Sequence, residues 1–220
     1  EEEAKLCQFF KIDNRDNIKY CRIKICEIEE TKCLRWLRSN LRYNGGGGGP
    51  TVDAPYMNDD QSKKRTGRLY SYKEVMSGNL CPSGYRVATK EDFESLIRAV
   101  ENKNPNESIE DPTKYLTAPN TWLLNSNCRG NGKENYSKYF EMFPNGYYSI
   151  WDNKFQEVGQ SANIWTTSPY TTGDLDINGN LEVSTESVFV VVVKNGKLEF
   201  VPFVKDAFRL GVRCVCEEGC

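Results

Sequence analysis

Histidine is missing from all 220 residues of the sequence. That one absence excludes Ser-His-Asp and Cys-His nucleophilic catalysis, imidazole general bases and His-bearing zinc sites. Long hydrophobic runs are missing too: no stretch reaches the roughly eighteen consecutive apolar residues that a membrane-spanning helix needs. Neither sign of charge dominates. Lys and Arg number 29 against 31 Asp and Glu, a net charge of −2. Affinity for phosphate backbones needs a clear cationic surplus, so nucleic acid is not an expected partner. The sequence opens Glu1-Glu2-Glu3 with neither a methionine nor an apolar stretch, and the expectation is that a signal peptide has already been removed.

What is present describes a folded chain. Apolar residues make up 38% and charged residues 27%, a globular balance. A chain of this length buries roughly two thirds of its extended surface, enough for a real core. Nine cysteines point to disulfides and an oxidising compartment. The zinc alternative is weak, since Cys214-x-Cys216-x3-Cys220 matches no tight knuckle spacing.

Gly45–Gly49 followed by Pro50 marks a seam, because five glycines cannot sit inside a helix or strand. It divides the chain into a Cys-rich segment 1–44, a polar linker 45–66 and a larger body 67–220. In the first segment, 8–12 and Ile18–Cys26 alternate apolar and polar residues around the turn-forming Asn14–Asn17, which predicts a hairpin. Leu34, Leu37 and Leu41 opposite Arg35, Arg38 and Arg42 predict a helix over 31–43 with a solvated basic face. Cys7, Cys21, Cys26 and Cys33 can pair among themselves in three ways.

In the body, 70–77 reads as a short helix. Thr89 and Asp92 form a capping-box start for a second helix, in which Phe93, Leu96, Ile97 and Val100 face a core. The texture through about residue 185 is loop-rich, with strand-like pieces such as 163–167. The β-branched run Ser187–Val193 predicts a centrally buried strand, Asn195-Gly196 a tight turn, Lys197–Val204 its return strand and Leu210–Cys216 a last strand. Early helices and a strand-rich end make an α+β domain.

Four pieces of the body occur in a telling order. They are Gly67–Tyr72; Cys81-Pro82-Ser83-Gly84-Tyr85-Arg86-Val87-Ala88-Thr89 with Asp92-Phe93; Phe143–Tyr148 followed by Trp165–Ser168; and Gly211-Val212-Arg213-Cys214-Val215. Together they resemble the Fibrobacter succinogenes major paralogous domain over about 67–216. Tyr85, Arg86, Ala88 and Phe93 stand where that family usually has Trp, His, Pro and Trp, so aromatic bulk is kept while the histidine is lost. The resemblance implies a C-type-lectin-like fold with two helices, a small twisted, mostly antiparallel sheet and long loops. It also implies a bacterial surface or secreted protein of the kind found in adhesins, fimbriae and lipoproteins, often in Bacteroidetes-type organisms. No enzyme activity comes with it.

Within that fold a Cys81–Cys214 disulfide is expected. It would close a loop of 133 positions, worth about 4–5 kcal/mol in the chain-entropy estimate. Cys216 and Cys220 are then free to reach the first segment or Cys128, and an odd cysteine is left over.

Several residues are candidates for binding. Asp174, Asp176, Asn178 and Asn180, with Gly179 at the sixth position, have the rhythm of a calcium loop, but the twelfth position is Thr185 rather than Glu. The competing reading is a polar turn between strands. Trp151-Asp152-Asn153 is similar in composition to the Trp-Asn-Asp motif of sugar-binding C-type lectins. Its order differs, and Ala118-Pro119-Asn120 lacks the acid of a partner motif, so calcium-dependent sugar binding of that kind is not expected. Trp122, Trp151 and Trp165, with Tyr147, Tyr148 and Tyr170, could offer aromatic faces to a sugar or a protein loop, or fill a core. Lys63-Lys64-Arg65 with Arg68 reads as exposed linker, and Gly130–Lys133 lacks the phosphate-loop pattern.

The expectation is therefore a non-catalytic surface or secreted module that meets a protein partner or host glycan, or assembles into a surface structure. Any membrane attachment would come through a partner or a lipid, and recognition would fall on the loops of 102–186. The competing expectations are a purely structural envelope subunit and a formylglycine-generating-like enzyme using Cys214 and Cys216.

Overall fold

The structure is a computed structural model and describes residues 9–27, 32–44, 52–53, 67–102, 113–117, 140–175 and 177–217. Cys7, Cys128, Cys220, Gly45–Gly49, Lys63–Arg65, Ala118–Asn120, Trp122, Gly130–Lys133 and Asp176 lie outside the described residues.

In chain order the strands are β1 (Phe10–Asp13), β2 (Ile18–Cys26), β3 (Cys33–Leu37), β4 (Val52–Asp53), β5 (Arg68–Ser71), β6 (Arg86–Val87), β7 (Tyr147–Ser149), β8 (Lys154–Gln156), β9 (Ser161–Leu175), β10 (Leu181–Lys194), β11 (Lys197–Val204), β12 (Phe208–Leu210) and β13 (Cys214–Glu217). The described helices are α1 (Tyr72–Val75), α2 (Lys90–Asn102) and the single turn α3 (Thr113–Leu116). The strands form sheets in the orders β1-β2-β3-β13-β6, β11-β10-β9 and β4-β5-β12-β7-β8, and every pairing between strands is antiparallel. The fold is α+β.

Local chemistry explains many of these elements. At the start of α2 the Asp92 backbone N–H donates to Thr89 Oγ1 (3.1 Å) and the Thr89 N–H to Asp92 Oδ2 (2.8 Å), the expected reciprocal cap. Ser71 and Glu74 cap α1 in the same way. Asn195 and Gly196 both take positive φ (52° and 75°), as a two-residue hairpin turn requires, and β10 and β11 pair from Lys194↔Lys197 outwards. In the middle of its sheet, β10 is buried on both faces: Val190 packs into one core cluster and Val191 into the other. That explains why its apolar run is continuous rather than alternating.

Three expectations need correction. Residues 33–37 are not helical; they form β3, which pairs with β2 (Ile23↔Trp36) and with β13 (Val215↔Trp36). Leu34 and Trp36 point into the core against α2 while Arg35 points away, a period of two that the leucine spacing masked. The last strand is divided, because β12 ends at Leu210 and β13 begins at Cys214. Gly211–Arg213 leave the ladder to bond β9 and the core, as described below. The stretch before residue 186 is also less irregular than expected, since β9 and β10 run as a long hairpin through 161–194.

Candidate functional site

The motif residues converge on one buried centre. Cys81 and Cys214 are disulfide-bonded, with Cα atoms 5.8 Å apart. From there a chain of backbone bonds runs inward. The Ala88 N–H donates to Arg213 O (3.0 Å), Thr167 N–H to Ala88 O (3.3 Å), Trp165 N–H to Gly211 O (3.0 Å) and Gly211 N–H to Asn163 O (3.0 Å). The Asn163 N–H donates to Asn145 Oδ1 (3.4 Å). Gly146 follows at φ +61°, where an added Cβ would lie 2.2 Å from Gln156 O, so only glycine fits this close crossing of chains.

Arg213 is wholly buried in this centre. Its Nε donates to Asn40 Oδ1 (2.6 Å), its Nη1 to the carbonyls of Leu37 (3.2 Å) and Arg38 (2.5 Å), and its Nη2 to Glu141 O. The guanidinium carbon stands 4.4 Å from the centre of the Phe140 ring. Burial lowers its pKa to about 9, countered in part by Glu141, so the group is cationic at neutral pH. Four acceptors and an aromatic face compensate the lost hydration. This centre holds the fold together and leaves little room for a ligand.

The other sequence candidates scatter. Trp165 is fully buried, its Nε1 donates to Tyr70 O (2.7 Å) and its ring packs on Tyr72, so it cannot offer a face to a ligand. Tyr170 stacks edge-on with Phe189, over which Lys90 Nζ sits at 4.5 Å, away from the other candidates. Asp174, Asn178 and Asn180 sit exposed at the tip of the β9–β10 hairpin. Among the described residues no three Cys, Asp or Glu side chains gather around a point that could hold a metal ion. Besides Cys81–Cys214, Cys26 is bonded to Cys33, and Cys21 and Cys216 are also in disulfides. Of the arginines expected on one helical face, Arg38 instead pairs with Glu141 (2.5 Å), and Arg42 reaches Lys19 O (3.0 Å) and faces the Tyr20 ring.

Trp151 and Tyr147 do come together. Trp151 is 72% exposed at the turn between β7 and β8, and its ring meets Phe208 at 5.5 Å. Phe208 also packs on Phe203 (4.8 Å) and Tyr147 (5.7 Å). On the other side of the hairpin Tyr148 packs on Phe155 (5.1 Å), and Ile150 and Phe155 are exposed. The turn is pinned by Asp152, whose Oδ2 accepts from Ser149 Oγ and Gln156 Nε2 (both 2.9 Å), and the Tyr148 hydroxyl donates to Asn153 Oδ1. An exposed aromatic ridge on a braced turn therefore projects from an otherwise packed sheet. Phe203 and Phe208 flank the β11–β12 turn and Phe155 lies in β8, and sequence position alone does not say which way any of them faces.

The chain matches the Fibrobacter succinogenes major domain over residues 33–216 and belongs to that family. The match begins at β3, earlier than the expected residue 67, in keeping with the pairing of β3 to β13. No curated protein and no solved structure matches the chain. No helix among the described residues is long and apolar enough to cross a membrane.

Proposed function

We propose that this chain is a non-catalytic recognition module, secreted or displayed on a bacterial surface, that binds a protein partner through the ridge around Trp151. The observation that carries this reading is the contrast between two groups of residues. The motif residues are spent on a buried centre, whereas Trp151 is a large aromatic left in solvent and held by the Asp152 turn and Phe208. Large exposed aromatics cost solubility and mark interaction sites, and a braced one loses little entropy on binding. The disulfides support an oxidising compartment. Helices α1 and α2, with a covalent bracket from Cys81 between them to the last strand, support a C-type-lectin-like arrangement.

The test is cross-linking of the native chain on intact cells, with identification of the partner and measurement of its affinity for wild type and Trp151→Ala. Loss of a central Trp anchor weakens binding by about 30-fold or more, the equivalent of roughly 2 kcal/mol. The thermal midpoint should stay within about a degree, as for surface substitutions. Equal affinity for the two proteins would sink the reading.

A further inference from the structure

We infer that the chain associates head to tail with itself, the β9–β10 arm of one copy docking in the cavity between α1 and β6 of the next. Three observations meet here.

The arm is the first. β11 pairs with β10 only from Ser187 to Lys194, so the rest of the β9–β10 hairpin runs on as a two-stranded projection. Its outer part exposes Leu175, Ile177, Leu181 and Val183, with Ile177 fully exposed. Between 168 and 187 there is no Lys or Arg, and Asp174, Glu182 and Glu186 are exposed. A projecting acidic hairpin with aliphatic side chains gathered at its end has no role in its own core.

The second is the cavity. It has a volume of about 220 Å³, and its wall is made by Val75, Met76, Leu80, Cys81 and Val87 together with Tyr85, Arg86 and Thr167. Met76 is 58% exposed, so the cavity opens to the surface. An apolar cavity of about 150 Å³ accommodates a benzene, so this one takes one or two branched aliphatic side chains. Cations lie beside Tyr85: Lys11 Nζ is 5.7 Å from the centre of its ring, and Arg22 and Arg35 act on its phenol. Aliphatic groups with acids on the arm thus match an apolar cavity with cations beside it.

Chain geometry is the third: it puts the chain's own cavity out of reach, so the complementary cavity the arm can use is that of a second copy. Thr167 lines the cavity and also lies in β9, at the root of the arm. Leu175 is eight residues further along the same strand, about 26 Å away at strand rise. A paired hairpin cannot fold back onto its own root, so its tip reaches only a neighbour's cavity. The two surfaces differ, so the contact is heterologous and propagates into rings or open chains.

Sedimentation of the full chain from about 1 µM to about 1 mM tests this, a range that covers weak to moderate self-association. The weight-average mass should rise with concentration and fall back as salt screens the charges. Ile177→Asp and Met76→Glu, both at exposed positions, should each weaken association at least tenfold while leaving the melting curve intact; Leu181→Asp serves as a second arm variant. Mixing the arm variant with the cavity variant should restore one-to-one pairs but nothing longer, because each retains one working half. Trp151→Ala should associate like wild type, which separates this contact from the proposed partner surface. A wild type that stays monomeric throughout, or association untouched by both arm variants, would overturn the inference.

Discussion

Arg213 and Asn40 are separated by 173 positions and meet in the core, where Arg213 Nε donates to Asn40 Oδ1 at 2.6 Å. The same guanidinium bonds the backbone at Leu37, Arg38 and Glu141. One side chain from the link between β12 and β13 thus ties the strands before the Gly-rich seam to a segment in the middle of the chain. Lysine cannot reproduce the planar fork, so Arg213→Lys cannot serve all four acceptors at once. The expected loss is about 2–4 kcal/mol of stability, read as a lower urea midpoint at unchanged slope.

Removing the disulfide bracket acts on the unfolded chain instead. Cys81 and Cys214 close a loop of 133 positions, and Cys81→Ala/Cys214→Ala should lose about 2–5 kcal/mol. Mass spectrometry of unreduced peptides should find the two cysteines linked; a wild-type melting curve in the double variant would contradict the account.

Asp92 gives the fold an acid-sensitive joint. Burial works to raise its pKa, but the Arg86 guanidinium (2.5 Å) and the Thr89 N–H outweigh it and hold the carboxyl below its ordinary 3.8. A carboxyl lowered on folding stabilises the native state above its unfolded pKa, and that contribution is lost as the pH falls through the folded value. Asp92→Asn should therefore cost about 1–3 kcal/mol at neutral pH. The gap to wild type should close as the pH falls below 3.8, the ordinary value for this carboxyl. A gap that persists undiminished in acid would contradict it.

Tyr20 works at the other end of the pH scale. Burial pushes its phenol from 10.0 up to about 12, although the Arg42 N–H donates to its oxygen at 2.9 Å. An acid whose pKa rises on folding keeps its proton in the native state while the unfolded chain ionises, so stability falls as the pH climbs through that interval. Tyr20→Phe removes this response. The stability difference between wild type and Tyr20→Phe should narrow between pH 10 and about 12, measured by denaturant unfolding at a series of alkaline pH values.

Elements with a local cause were legible in the sequence. The β1–β2 hairpin follows from alternation around a polar turn, α2 from the Thr89–Asp92 cap and its apolar stripe, and the β10–β11 hairpin from Asn195-Gly196. Each is stabilised by residues within a few positions of one another, so neighbours in sequence suffice to specify it. The Cys81–Cys214 bond is a contact between distant residues, and it was reachable only through the family resemblance.

Partners far along the chain decided the rest. Leu34, Leu37 and Leu41 suit a helix on their own, but β2 and β13 offer hydrogen bonds on both edges of 33–37, and burial of Leu34 and Trp36 on one face then selects a strand. Trp165 and Trp151 are the same residue type in similar polar surroundings; only the packing of α1, β5 and the core over Trp165 makes one structural and leaves the other in solvent. Whether a side chain faces water is set by what the whole fold lays over it, and local sequence does not carry that information.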